Sequence, residues 1–363
     1  MGKATRLSLA VCSWPLASHG TENRGPEQIR LPGRFRIVGA TQLKTLGFCR
    51  YAISCGAASV LLAGCGGSQP PIGPPGAMPA SVRLMPTRAV LDQVQPGASY
   101  QVLYSFGRSR YDAGRPAAGL ADVKDTLYGT TPVGGKYTGS SCPGFGGCGT
   151  VFRISTTGQE RVLYSFRGRT NGIEPAASLV DENDTLYGTT TLGGKYHHGT
   201  IFSVSLTGKE RLLYSFSGAA DGSYPVSPLI DVNGTLYGTA GGGGSSYRGT
   251  LFSITTSAQF NVLHRFQGSP DGADPTAGLI VVKGLLYGTT AEGGKYSSYN
   301  GTVFRSTTSG IERVVHSFAG GSDGADPTAS LIDVKGTLYG ATSFGGAHSI
   351  CSGGCGTVFA LTP

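Results

Sequence analysis

The chain has 363 residues, a net charge of +8, 39% hydrophobic residues and 60 glycines. The apolar share excludes a disordered polymer, and the glycine share demands short elements separated by many turns. Residues 1–65 carry eight Lys/Arg against two Asp/Glu, which leaves the body nearly neutral at 21 against 19, so the charge belongs to a leader and argues against nucleic acid as a partner.

Residues 1–64 read as that leader. Lys44 and Arg50 precede the apolar run "YAISCGAASVLLAGC", Tyr51 to Cys65, which has the length of a signal core and is too short to span a bilayer. The run ends in Leu62-Ala63-Gly64-Cys65, similar to a bacterial lipobox, in which small residues admit the chain to a peptidase and the thiol accepts a lipid. Residues 1–36 extend beyond what such a signal needs and read as a mis-assigned start. Residues 65–100 follow as a lipidated cysteine and a tether, "GGSQPPIGPPGAMPAS", whose proline and glycine content prevents a packed core. The expected location is therefore the exported cell envelope, with the membrane as a partner through the lipid.

Residues 101–363 are a repeat. "LYG" recurs at Leu127, Leu186, Leu236, Leu286 and Leu338, at spacings of 59, 50, 50 and 52. "GT-V/I/L-F" recurs at Gly149, Gly199, Gly249, Gly301 and Gly356, and a proline opens each unit at Pro116, Pro175, Pro225, Pro275 and Pro327. An outer motif, "VLYSF" and its variants, begins at Val102, Val162, Leu212, Val262 and Val314. Each unit holds four β-prone runs joined by hairpin signals such as "VNG" and "LTGK", with no helical periodicity between them. Four antiparallel strands in about 50 residues is the period of a propeller blade. The fold class expected is all-β: a five-bladed β-propeller of four-stranded antiparallel blades. The first "QVLYSF", Gln101 to Phe106, precedes any unit and the last unit lacks its fourth run, so the N-terminal strand is expected to close the last blade.

These motifs resemble the GloVer tandem repeat, whose pattern "VLYSF…DG..P…LI.D..G.LYGTT..GG….GTVF" covers residues 101–363. The resemblance implies an exported, surface-anchored, propeller-like protein and no established activity. The chain departs from it at His264-Arg265 and His316 in the outer motif, at Val281 in place of aspartate, and at "GGGGSSYRG" in the third copy.

Cys142 with Cys148 and Cys351 with Cys355 occupy the same slot of two repeats, and in an exported chain two local disulfides are the expected pairing. Four thiolates are the raw material of a zinc site, but neither pair has the C-x2-C spacing, and no metal or other cofactor is expected. Asp122, Asp181, Asp231 and Asp333 stand before hairpin turns, where an aspartate accepts backbone N–H groups. Asp221, Asp271 and Asp323 open "DG-x-x-P" turns by the same logic, although clustered oxygens there also fit a weak calcium site. No Ser-His-Asp set, HExxH or phosphate loop is present, and the acids are alike in every unit, so an enzyme is not the expected reading.

The loop between the second and third strands of each unit carries the remaining candidates: Lys136, Tyr137, Lys195, Tyr196, His197, Tyr247, Arg248, Lys295 and Tyr296. In a four-strand meander these loops emerge on one face together with the "DG-x-x-P" loops. Rings beside cations equip such a face to stack on polysaccharide or a surface protein. The other reading is that each tyrosine is a lid packed on its own loop. The expected functions are, in order, a binding or interaction module, a purely structural envelope repeat, and a glycosidase or lyase.

Overall fold

The two-residue turn between the first and second strands sets the pattern of every unit. Lys124-Asp125, Asn183-Asp184, Asn233-Gly234, Lys283-Gly284 and Lys335-Gly336 all have positive φ at both positions, the type I′ geometry that matches strand twist in a two-residue hairpin. A computed structural model describes residues 99–363 apart from Arg110, residues 143–145 and Ser349. The leader, Cys65 and nearly all of the tether lie outside the described residues.

Five serial sheets follow from these hairpins among the described residues. The first is built from Ala121–Val123, Thr126–Thr131, Thr150–Ser155 and Glu160–Ser165. The second is built from Val180–Glu182, Thr185–Thr190, Thr200–Ser205 and Glu210–Ser215. The third comprises Ile230–Val232, Thr235–Ala240, Thr250–Thr255 and Phe260–Arg265. The fourth comprises Ile280–Val282, Leu285–Thr290, Thr302–Ser306 and Glu312–Ser317. The fifth has three strands, Ile332–Val334, Thr337–Thr342 and Thr357–Leu361. Each sheet is an antiparallel meander in sequence order, with no crossover. The only helical pieces among the described residues are two three-residue 3-10 turns, Gly139–Ser141 and Gly321–Asp323.

The core lies between sheets, which is why strands of one unit are apolar on both faces. The phenylalanine of each outer motif meets the "GT-x-F" phenylalanine of the next unit edge to face: Phe166 on Phe202, Phe216 on Phe252, Phe266 on Phe304 and Phe318 on Phe359, with centroids 4.9, 5.3, 5.2 and 5.1 Å apart. Such aromatic pairs each add about 1 kcal/mol beyond their buried area. Across each sheet the glycine of "LYG" pairs with the same ring, as Gly238 does with Phe252. The paired threonines of "TT" and "GT" hold the strand ends: Thr190 Oγ1 lies 2.7 Å from Thr200 Oγ1, and both are buried. Cys142–Cys148 and Cys351–Cys355 are disulfide-bonded, with Cα atoms 5.0 and 5.2 Å apart.

One expectation requires correction. Gln101–Phe106 does not close the last sheet: it forms no ladder, and the fifth sheet ends at Thr357–Leu361. The segment instead lies on the first sheet, with Phe106 5.0 Å from Phe152. Its Leu103 carbonyl crowds Gly158 as the Leu163 carbonyl crowds Gly208 and the Leu263 carbonyl crowds Gly310. The segment thus takes the position an outer strand takes against the following unit. Side-chain burial on the first sheet is satisfied locally, whereas a ladder needs the two ends of the array to meet. Ile332 and Val358 of the fifth sheet are correspondingly exposed.

Candidate functional site

The double glycines gather the long loops on one face. Gly193 and Gly194 both have φ of 78°, and a Cβ on Gly193 would stand 2.8 Å from the Gly168 carbonyl oxygen, so neither the conformation nor the space admits a side chain. Within each unit this loop pairs with the "DG-x-x-P" loop: Ile173 N–H donates to the Leu192 carbonyl at 2.7 Å and Ser223 N–H to the Gly242 carbonyl at 2.8 Å. Between units the residue before each proline donates back to the preceding loop, as Glu174 does to Cys148, Tyr224 to His198, Asp274 to Arg248 and Asp326 to Asn300. All four of these residues are in the left-handed region, which turns the chain into the next sheet.

The structure separates the loop tyrosines. Tyr196, Tyr247 and Tyr296 expose 45, 77 and 61% of their surface, and the adjacent Tyr299 exposes 74%. Lys195 Nζ lies 4.9 Å from the centre of the Tyr196 ring and Lys295 Nζ 5.6 Å from that of Tyr296, so each cation sits beside its own ring. Tyr137 differs: it is half-buried against the core between the first two sheets, with the Arg167 guanidinium 5.4 Å from its ring centre. Lys136 and His197 are exposed, and Arg248 is paired with Glu292 at 3.2 Å.

A second set joins turn aspartates and outer-motif residues noted in the sequence to glutamates that the sequence did not single out. Along the array, the third residue of the outer motif faces a residue of the following turn, and in four of the five copies the first residue of the next outer strand stands beside it. Tyr104 Oη donates to Asp112 at 3.1 Å and has Glu160 within hydrogen-bonding reach. Asn171 donates to the Tyr164 hydroxyl, with Glu210 beside both. Tyr214 Oη donates to Asp221 at 2.8 Å, and Phe260 stacks on the Tyr214 ring at 3.8 Å. His264 Nε2 lies 3.0 Å from Asp271 Oδ2 and 3.8 Å from Glu312 Oε2. His316 Nε2 lies 3.1 Å from Asp323 Oδ2. The aspartates also accept backbone N–H groups, such as Ser217 N–H on Asp221 at 2.8 Å and Gln267 N–H on Asp271 at 3.0 Å, so they are turn-formers first. Asp231 and Asp333 likewise accept from Gly234 and Gly336 in their hairpins.

The electrostatics of these junctions follow from burial. Burial, the bond to Asp112 and the charge of Glu160 push the Tyr104 hydroxyl up to about 12. Burial and the Glu210 charge do the same for Tyr164, also to about 12. Burial, then the neighbouring Asp271 charge, pushes Glu312 up to about 7, against the opposing pull of His264. For His264 burial opposes protonation, but the bond to Asp271 and the charges of Asp271 and Glu312 outweigh it and raise its pKa. The histidines in place of tyrosine at 264 and 316 and the aspartates of the "DG-x-x-P" turns were the sequence signals of this set.

Residues 88–245 and 207–363 match the Gloeobacter/Verrucomicrobia repeat, in two overlapping stretches that together span most of the chain. The chain belongs to this repeat family. Each stretch of the Gloeobacter/Verrucomicrobia repeat takes in more than one of the sheets described above. No curated protein matches the chain in sequence. Among solved structures, a GH43 β-xylosidase/α-arabinofuranosidase from a compost microbial metagenome is 13% identical with a TM-score of 0.34, over 67% of this chain and 90% of that one. A PQQ-bound aldose sugar dehydrogenase from Streptomyces coelicolor is 14% identical with a TM-score of 0.41, over 66% and 75%. A gluconolactonase from Xanthomonas campestris is 15% identical with a TM-score of 0.39, over 68% and 71%. Likeness at this level says nothing about activity, and the reading of the repeat protein rests on its own residues.

Proposed function

We propose that this protein is a lipid-anchored envelope protein whose five sheets act as propeller blades presenting a polysaccharide-binding face. The observation that carries the reading is the row of exposed rings, Tyr196, Tyr247 and Tyr296, on loops that backbone hydrogen bonds tie to one side of successive sheets. A solvent-facing aromatic with a neighbouring ammonium offers a flat apolar surface and a donor, the two elements that a pyranose ring requires. Burying such rings on a ligand recovers apolar area that the free protein leaves in water. The Pro/Gly tether after Cys65 supports the anchor, because it sets the domain off the membrane.

The test is a glycan-array screen of the full-length chain, followed by titration of the best ligand against tyrosine variants. Each sugar–ring contact is worth about 1 kcal/mol, by analogy with other aromatic contacts. One Tyr→Ala change at 196, 247 or 296 therefore weakens binding several-fold, and the triple variant weakens it by roughly two orders of magnitude, with little loss of stability. Tyr137→Ala serves as the contrast: its half-buried ring predicts a lower melting temperature and nearly unchanged affinity. A triple variant that binds as well as the parent sinks the reading and leaves the structural repeat.

A further inference from the structure

The junction between the third and fourth sheets differs in kind from the three others between sheets and from the contact of Gln101–Phe106 with the first sheet. Its three polar residues come from separate places in the chain: His264 from the outer strand Phe260–Arg265, Asp271 from the following "DG" loop, and Glu312 from the start of the next outer strand, Glu312–Ser317. At the equivalent positions a tyrosine stands at 104, 164 and 214, an asparagine at 171 and a phenylalanine at 260. Only here, among the described residues, do an imidazole and two carboxylates face one another, with one ligand atom from each within 4.8 Å of the others.

We infer that His264, Asp271 and Glu312 form a binding site for a divalent transition-metal cation of the zinc type. Geometry and partnering both lead there. The distances of 3.0 Å from His264 Nε2 to Asp271 Oδ2 and 3.8 Å to Glu312 Oε2 bracket the separation of about 3.3 Å between ligand atoms around a tetrahedral zinc. The Glu312 side chain is only 8% exposed, and its Oε1 has no hydrogen-bond partner; the equivalent Glu160 Oε1 and Glu210 Oε1 lack one as well, but only here is a second carboxylate oxygen of the same junction, Asp271 Oδ1, also without one. A buried carboxylate oxygen without a partner is costly. At the first and second junctions a tyrosine hydroxyl is placed to hydrogen-bond the glutamate. At this one the ring nitrogen lies 3.0 Å from Asp271 Oδ2 and stands 3.8 Å from Glu312 Oε2, beyond hydrogen-bonding distance.

A dication neutralises two carboxylates while taking the imidazole nitrogen as a neutral ligand. One imidazole and two carboxylates suit zinc or its neighbours better than calcium, which takes six or more oxygens. His264 and Asp271 keep 23 and 16% of their side chains exposed, so an ion enters from solvent and retains a face for water or an outside ligand. The fifth-sheet counterpart, His316 with Asp323, lacks the glutamate and provides an internal control.

The experiment is isothermal titration of the chelator-treated full-length chain with zinc chloride, with cobalt(II) absorption as a second readout of coordination. The expected result is one zinc per chain and a tetrahedral cobalt spectrum. His264→Tyr, which installs the residue the other units carry, and Glu312→Gln each weaken zinc by at least about 100-fold, beyond the 10–100-fold usual for a lost outer-shell partner. His316→Tyr leaves binding unchanged. Absence of zinc uptake by the folded parent overturns the proposal. So does uptake that survives both His264→Tyr and Glu312→Gln, or that is abolished by changing the loop pair His197 and His198 to alanine.

Discussion

Gly238→Ala isolates the packing between sheets from every other contribution. Gly238 lies mid-strand in Thr235–Ala240, opposite Phe252, and is not among the positive-φ glycines, so alanine is conformationally acceptable there. Strand propensity alone would favour the change by about 0.5–1 kcal/mol. Space decides otherwise. A Cβ would stand 2.7 Å from Leu229 Cδ2 and 2.7 Å from Phe252 Cζ, well inside van der Waals contact. Neither neighbour has room to retreat: Phe252 is fully buried, with Phe216 and Phe260 at 5.3 and 5.5 Å. Overpacking of this kind costs roughly 1–3 kcal/mol; less the propensity gain, the net loss expected is about 1 kcal/mol, or about 2–4 °C in melting temperature for a domain of this size. Gly284→Asn is the matched control: this glycine has φ of 78° in an open hairpin turn with no atom within 4 Å of a Cβ, and asparagine tolerates that conformation. Chemical denaturation of both variants decides the matter. If Gly238→Ala unfolds within about 0.5 kcal/mol of the parent, the ring-against-glycine account of the repeat is wrong.

Two further outcomes are expected. Asp274, buried and beside Glu292 and Asp326, is pushed up to about 6 in the fold, from 3.8 for a free side chain. A carboxyl group that holds its proton more tightly when folded stabilises the fold below its unfolded pKa and loses that contribution as pH rises through its folded one. The parent therefore gains stability between about pH 6 and pH 4, by at most about 3 kcal/mol from this group, with Glu312 acting in the same direction at higher pH. Asp274→Asn should melt higher than the parent at pH 7 and show a flatter pH profile; parallel profiles would count against the assignment. Cys65→Ser should move the protein from the membrane fraction to the soluble one or block its processing, and unchanged fractionation with unchanged mass refutes the anchor.

The repeat, its strand count and its turns were legible in the sequence because each rests on local chemistry. Asn233-Gly234 specifies a type I′ hairpin, and the double glycine at 193 and 194 specifies left-handed backbone, before anything distant is considered. Landmarks in constant order at near-constant spacing then require serial four-strand meanders, since one unit cannot bury both faces of its own sheet. Tertiary structure alone decided what each copy does with its variations. The tyrosines at 137, 196 and 296 are alike in motif, yet the first packs beneath Arg167 and the others face solvent, because exposure depends on the neighbouring sheet. Gln101–Phe106 matches the outer motif and still forms no ladder, because pairing requires the distant end of the array to arrive. His264, Asp271 and Glu312 stand up to 48 residues apart and belong to two different units. Their meeting is a property of the junction between sheets, and no spacing within one repeat encodes it.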